Sequence, residues 1–211
     1  VAQEEGIIEP PMPNGMVGTQ SWYLPKFVVD RDPSLVYYGA LSGERNRRKV
    51  AETFKRPTTW QEYCESVSPD GCETLDEIAI RGPQNEDEEG RYFVEGLFKG
   101  YFRRTEKNNC DTNPTTCTGH IVDHTCEWST FATQQAFHNG IPVESDGPIE
   151  PTGGYTYQGM KEILAAANST KSNVLFMWWK PDSLYQSFLG SEFELVPVIF
   201  PPPSQECLLS R

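Results

Sequence analysis

The run Asn173-Val-Leu-Phe-Met-Trp-Trp-Lys-Pro181 is apolar, β-branched and aromatic until it stops at a charge and a proline. That pattern predicts a buried strand over Val174 to Trp179. Upstream, Met160, Ile163, Leu164 and Ala167 recur at the helical period, so a helix is expected over Tyr157 to Ala167, capped by Thr156. A second strand is expected over Leu195 to Phe200, cut off by Pro201-Pro-Pro203. Trp128 to Asn139 reads as a helix stopped by Asn139-Gly140. Thr59-Trp-Gln-Glu62 is a capping box that should open another helix. Helices alternating with strands at this spacing indicate an α/β sheet with crossovers.

The rest of the chain is more polar. Residues 1–20 are acidic and then rich in Pro and Gly, as in a linker or a cut end. Trp22 to Asp30 is a short ordered segment in which Pro25 limits regular pairing. Gln84 to Arg91 carries a run of acidic side chains and is expected to be a solvated loop. Phe93 to Phe102 is a strand or a short helix. Asn108 to Thr118, with Pro114 and two cysteines, should be a surface loop closed by a disulfide.

Charge narrows the partners. The 211 residues carry a formal net charge of −12. Nucleic acid and anionic membrane surfaces call for the opposite sign, whereas a small organic cation is compatible. No apolar run reaches the ~20 residues of a membrane span. The chain begins at Val1 without a visible signal peptide, as expected of a piece of a longer precursor.

Six cysteines, Cys64, Cys72, Cys110, Cys117, Cys126 and Cys207, suit three disulfides. Cys64–Cys72 and Cys110–Cys117 are the expected local pairs. Asn168-Ser-Thr170 is a glycosylation sequon. Together they point to an oxidising compartment: extracellular, cell-surface or lumenal. His120 and His124 are four apart beside Asp123 and Cys126, but no regular helix presents them on one face, so no metal site is expected. There is no nucleophile elbow, phosphate-binding glycine loop or His-Glu-x-x-His, so neither catalytic residues nor a cofactor are expected. A tryptophan at a strand end remains the main chemical signal. Its flat electron-rich face suits a bulky cation without hydrogen-bond donors.

Several stretches, in order, resemble the substrate-binding domain of ABC-type uptake systems for glycine betaine, choline and proline betaine. Gly18 to Asp30 is similar to that family's "VPKYVVD" segment, and Thr59-Trp-Gln-Glu62 to its "TWEDL" helix start. Gly119 to Trp128 matches its glycine-to-tryptophan stretch in length. Asn173 to Pro181 resembles its "VLFYxWxPH" strand, and Phe193 to Pro202 the continuation after it. The resemblance implies a periplasmic-binding-protein-like fold of two α/β lobes over residues 21–211, with a diverged insertion at about 81–118 and about 90–100 residues missing before Val1. It implies an aromatic cage for a quaternary ammonium ligand, with Trp128 and Trp179 at cage positions and Trp22 near the cleft. Glu127 departs from the family pattern and would place a carboxylate beside the cation. Ser183 replaces a family aromatic.

Two functions follow from the resemblance. One is a solute-binding module, either free or the ectodomain of a receptor or transporter in the same precursor. The other is a structural or interaction subunit of a larger assembly that kept the fold and lost the ligand. A ligand held between Trp128 and Trp179 would favour the first, and a cleft filled by the chain's own side chains or by a neighbouring subunit the second.

Overall fold

The computed structural model describes residues 18–67, 72, 77–79, 81–125, 128 and 131–202. The expectations placed on residues 1–17, Cys126, Glu127, Pro203 and Cys207 lie outside these. The chain is mixed α/β. It begins with strand β1 (Thr19–Pro25), helices α1 (Lys26–Arg31), α2 (Tyr38–Leu41) and α3 (Glu44–Thr53), then β2 (Arg56–Pro57) and α4 (Trp60–Val67). Next come α5 (Glu86–Tyr92), β3 (Phe93–Val94), β4 (Leu97–Phe98), β5 (Phe102–Arg103) and β6 (Gly119–His120). The last third holds α6 (Ala132–His138), β7 (Val143–Glu144), α7 (Tyr157–Thr170), β8 (Phe176–Lys180), α8 (Ser183–Ser187) and β9 (Leu195–Pro197).

The sheet is built around β1. It pairs antiparallel with β8 on one side and β9 on the other. Flanked on both sides, β1 buries Trp22, Tyr23 and Leu24 almost completely. The α/β expectation holds, with an antiparallel centre that local pattern could not reveal. Parallel pairing continues beyond β8. The Val122 N–H donates to Leu175 O at 2.8 Å, and the Met177 N–H to Val122 O at 2.9 Å. The segment running on from β6 thus lies beside β8 in parallel, while β6 pairs parallel with β7 on its other side.

The helices follow their sequence signals. Thr156 Oγ1 accepts the Gly159 N–H, and Met160, Ile163, Leu164, Ala166 and Ala167 are buried against the sheet. Each large apolar side chain so buried contributes about 1.5–3 kcal/mol. The helix α7 runs to Thr170, past the expected Ala167, and so takes in the Asn168 sequon. Asn168 is half-buried in the last turn, and its Oδ1 accepts from Lys171 Nζ. At α4 the Thr59 N–H donates to Glu62 Oε2 and the Glu62 N–H to Thr59 Oγ1, a reciprocal cap. The helix expected from Trp128 begins only at Ala132, and it ends as predicted, with Gly140 at φ 60° and the Ile141 N–H bonded to Ala136 O.

The acidic stretch is a correction. Glu86–Tyr92 is a helix, not a loop, because Asn85 Oδ1 caps the Glu88 N–H and four carboxylates occupy the first turn. There they face the positive end of the helix dipole. Phe93 to Phe98 is a hairpin whose two turn residues, Glu95 and Gly96, have φ of 51° and 77°. Two consecutive positive φ values are what a twisted two-residue turn requires. The disulfides Cys64–Cys72 and Cys110–Cys117 are formed. The second closes the expected loop, which the buried Asn108 amide ties to the carbonyls of Ala51, Phe54 and Thr118. Among the described residues no helix is long and apolar enough to cross a membrane.

Candidate functional site

The connection after β6 passes through α6 to β7 on one side. From β7 the chain returns past β6, through α7, to β8 on the other side. Crossovers that diverge in this way leave a crevice at the carboxyl ends of the two inner strands, where open α/β sheets bind ligands. Residues following β6 and residues ending β8 therefore meet at one place.

What meets there is aromatic. The His124 ring lies flat on Trp128, with centroids 4.7 Å apart and planes 6° apart. It also contacts Trp179 at 5.0 Å and Trp178 at 5.9 Å. Trp178 and Trp179 stack on each other at 4.6 Å. Tyr157, at the start of α7, packs on Trp178 at 5.6 Å and on Trp179 at 6.0 Å. Trp178 is fully buried, Trp179 and Tyr157 are half-buried, and Trp128 is 49% exposed. The cluster is an aromatic wall with a solid back and an open front.

Backbone geometry fixes His124 in this wall. His124 bridges to Tyr155, and the Tyr155 N–H donates to Asp123 O at 3.0 Å. Gly154, at φ 85°, permits this approach, since a Cβ there would lie 2.4 Å from the His124 carbonyl oxygen. Asp182 holds the back of the wall. Its Oδ1 accepts both the Trp178 Nε1–H at 3.1 Å and the Leu184 N–H that it caps at 2.8 Å. Asp182→Ala is therefore expected to destabilise the chain by about 1–3 kcal/mol, because a buried indole N–H loses its partner and α8 loses its cap. Denaturant unfolding with Asp182→Asn as the partial rescue is the check.

The sequence-predicted residues divide accordingly. Trp128 and Trp179 come together, with ring centroids 6.0 Å apart. His124 packs against both, 4.7 Å from Trp128 and 5.0 Å from Trp179, and at 6.0 Å the two indoles lie too close to hold a trimethylammonium group between them. Trp22 does not join them. It sits in the core with 0% exposure, edge-on to Phe200 at 5.1 Å, because alternate residues of a central strand point into packed layers. Glu127 lies outside the described residues. His124, Tyr157 and the supporting Trp178 were not singled out for this site by sequence reasoning. His120 and His124 were noted only as a spaced pair, and on a strand that spacing separates them along one face.

Burial holds the His124 imidazole at about 4, well below its ordinary value, so the ring is neutral at physiological pH. Among the described residues neither of its nitrogens has a hydrogen-bond partner.

Apart from the wall, a cavity of about 390 Å³ lies near the ends of β6 and β7. Its lining includes Arg56, Thr58, Glu62, His120, Asp146 and Tyr155. The Tyr155 hydroxyl is 3.0 Å from His120 Nε2. Arg56 Nε donates to Asp146 Oδ2 at 2.6 Å, and its other nitrogens reach the Thr118 and Gly119 carbonyls and Glu144. Arg56 Nε and Nη2 are committed to these partners, while Nη1, with two N–H groups, is bonded to the Thr118 carbonyl. Burial, and then the Arg56 charge, pushes His120 down to about 3, while burial raises Tyr155. Among the described residues no group of three or more His, Cys, Asp or Glu side chains could hold a metal ion.

Comparison with family models, with curated proteins and with solved structures finds no match to this chain.

Proposed function

We propose that this chain is an extracytoplasmic solute-binding module for a quaternary ammonium compound such as glycine betaine or choline. The observation that carries the reading is the aromatic wall of His124, Trp128, Trp178, Trp179 and Tyr157 at the carboxyl ends of parallel segments. A quaternary ammonium ion offers no N–H, so aromatic faces and shape are its main handles. Each desolvated face adds roughly 0.5–2 kcal/mol. The net charge of −12 favours the approach of a cation. The two disulfides suit an oxidising compartment, extracellular or lumenal. On this reading the sheet belongs to one lobe of a two-lobe binding fold, and the module serves a receptor or transporter portion of the same precursor.

A second reading has its own observation. Trp128, Trp179 and His124 pack directly on one another and close the space a cation would occupy, as in a scaffold that kept the fold and lost the ligand, working through neighbouring subunits. The two readings separate in a titration of the folded chain with glycine betaine, followed by tryptophan fluorescence. The module reading expects saturable binding that Trp179→Ala weakens at least tenfold and that Trp22→Phe leaves intact. Unchanged affinity in Trp179→Ala would remove Trp179 from the site. No saturable change in the unmodified chain would favour the scaffold.

A further inference from the structure

His124 has an unmet chemical need. A neutral imidazole carries one N–H and one lone pair. Both His124 nitrogens are buried and neither has a partner among the described residues. Buried polar atoms are rarely left so, because each unpaired one is costly. The neighbouring side chains do not relieve it. Trp128, Trp178 and Trp179 present rings, the Trp178 N–H is committed to Asp182, and the Tyr155 hydroxyl is committed to His120. Trp128 covers the imidazole and is itself half open to solvent, so it is the ring whose movement uncovers His124.

We propose that His124 is the hydrogen-bonding anchor of the site, selecting organic cations that also carry a hydroxyl or carboxylate oxygen. The proposal rests on the reading of the aromatic wall as a cation site. A quaternary nitrogen cannot satisfy an imidazole, since it has neither a proton to give nor a lone pair. A hydroxyl can pair with either ring nitrogen, and a carboxylate can accept the ring N–H. With Trp128 lifted, the ligand's methyl groups face Trp179 and Trp128 while its oxygen pairs with His124. The same displacement separates Trp128 from Trp179, which at 6.0 Å now lie too close to hold a cation between them.

The test compares glycine betaine, choline and tetramethylammonium, which has the cation and no oxygen, on the unmodified chain and on His124→Phe. The unmodified chain is expected to bind at least one of the two oxygen-bearing cations tenfold or more tighter than tetramethylammonium. His124→Phe keeps a flat ring and should bring that ligand to the tetramethylammonium level, with tetramethylammonium itself changed less than about threefold. His124→Gln, which keeps a donor and an acceptor, should retain part of the preference, and it keeps the test open should the Phe variant fail to fold. Equal binding of all three by the unmodified chain, or a preference that survives in His124→Phe, would overturn the anchor while leaving the cation site standing. Binding of none of the three would overturn both.

Discussion

Arg56→Ala is expected to cost about 1–3 kcal/mol of stability, because the carbonyls it holds lose their charged donor. Arg56 is only 5% exposed. Its guanidinium bonds Asp146 at 2.6 Å and Glu144 at 3.4 Å and reaches the carbonyls of Thr118 and Gly119. Truncation leaves those carbonyls unpaired and leaves Asp146 and Glu144 to Lys107 alone among these contacts. The loss should be read from denaturant unfolding. An Arg56–Asp146 double-mutant cycle should show a coupling of roughly 1–3 kcal/mol, since residues in one network do not add. A loss below about 1 kcal/mol for Arg56→Ala would show that this pin at the end of β6 and β7 does not hold the fold.

Acid should weaken the fold well above the usual carboxylate range. Burial, with the Arg56 charge second, lowers His120 to about 3, and burial lowers His124 to about 4. Both rings are neutral in the folded chain at physiological pH, while the unfolded chain takes up protons below its ordinary histidine value of about 6.5. The stabilisation is therefore complete above about pH 6.5. It is lost as pH falls from there toward 4 for His124 and toward 3 for His120. Each imidazole contributes a slope of up to about 1.4 kcal/mol per pH unit in that window. Unfolding by urea at pH 7, 6 and 5 should give falling midpoints, and His124→Phe should make the fall shallower. Midpoints that do not move between pH 7 and 5 would contradict the burial of both rings.

The local signals were legible because they are local. The cap of Thr156, the period of α7, the box at Thr59 and Glu62, and the stop at Asn139-Gly140 each depend on residues within one or two turns. The pairs Cys64–Cys72 and Cys110–Cys117 were legible for the same reason, their partners being eight and seven positions apart. The strand Phe176–Lys180 was visible from its composition, two residues later in its start and one in its end than the expected Val174 to Trp179. The helix of Glu86 to Tyr92 was hidden, since four carboxylates read as a solvated loop unless their position at a capped helix start is recognised.

The site was only half legible. Trp128 and Trp179 could be singled out, but the ring packed against both could not, because His124 arrives there through its bridge to Tyr155 and that of Val122 to Phe176, which no local pattern records. Trp22 carried the same residue type as the true wall and went to the core because β1 gained a partner on each side. Arg56 lies beside the capping box in sequence, yet its partners Glu144 and Asp146 come from β7 and the residues just after it, 88 and 90 positions away. Such charge pairs have no sequence period to betray them.

Calorimetric titration of the folded, disulfide-intact chain with glycine betaine and with choline tests the central claim most directly. Saturable one-site binding at micromolar concentration, lost in Trp179→Ala, is the result expected of a quaternary ammonium module. A flat titration with both ligands, from protein shown to be folded, would contradict it and leave a scaffold whose neighbouring subunits should be sought instead.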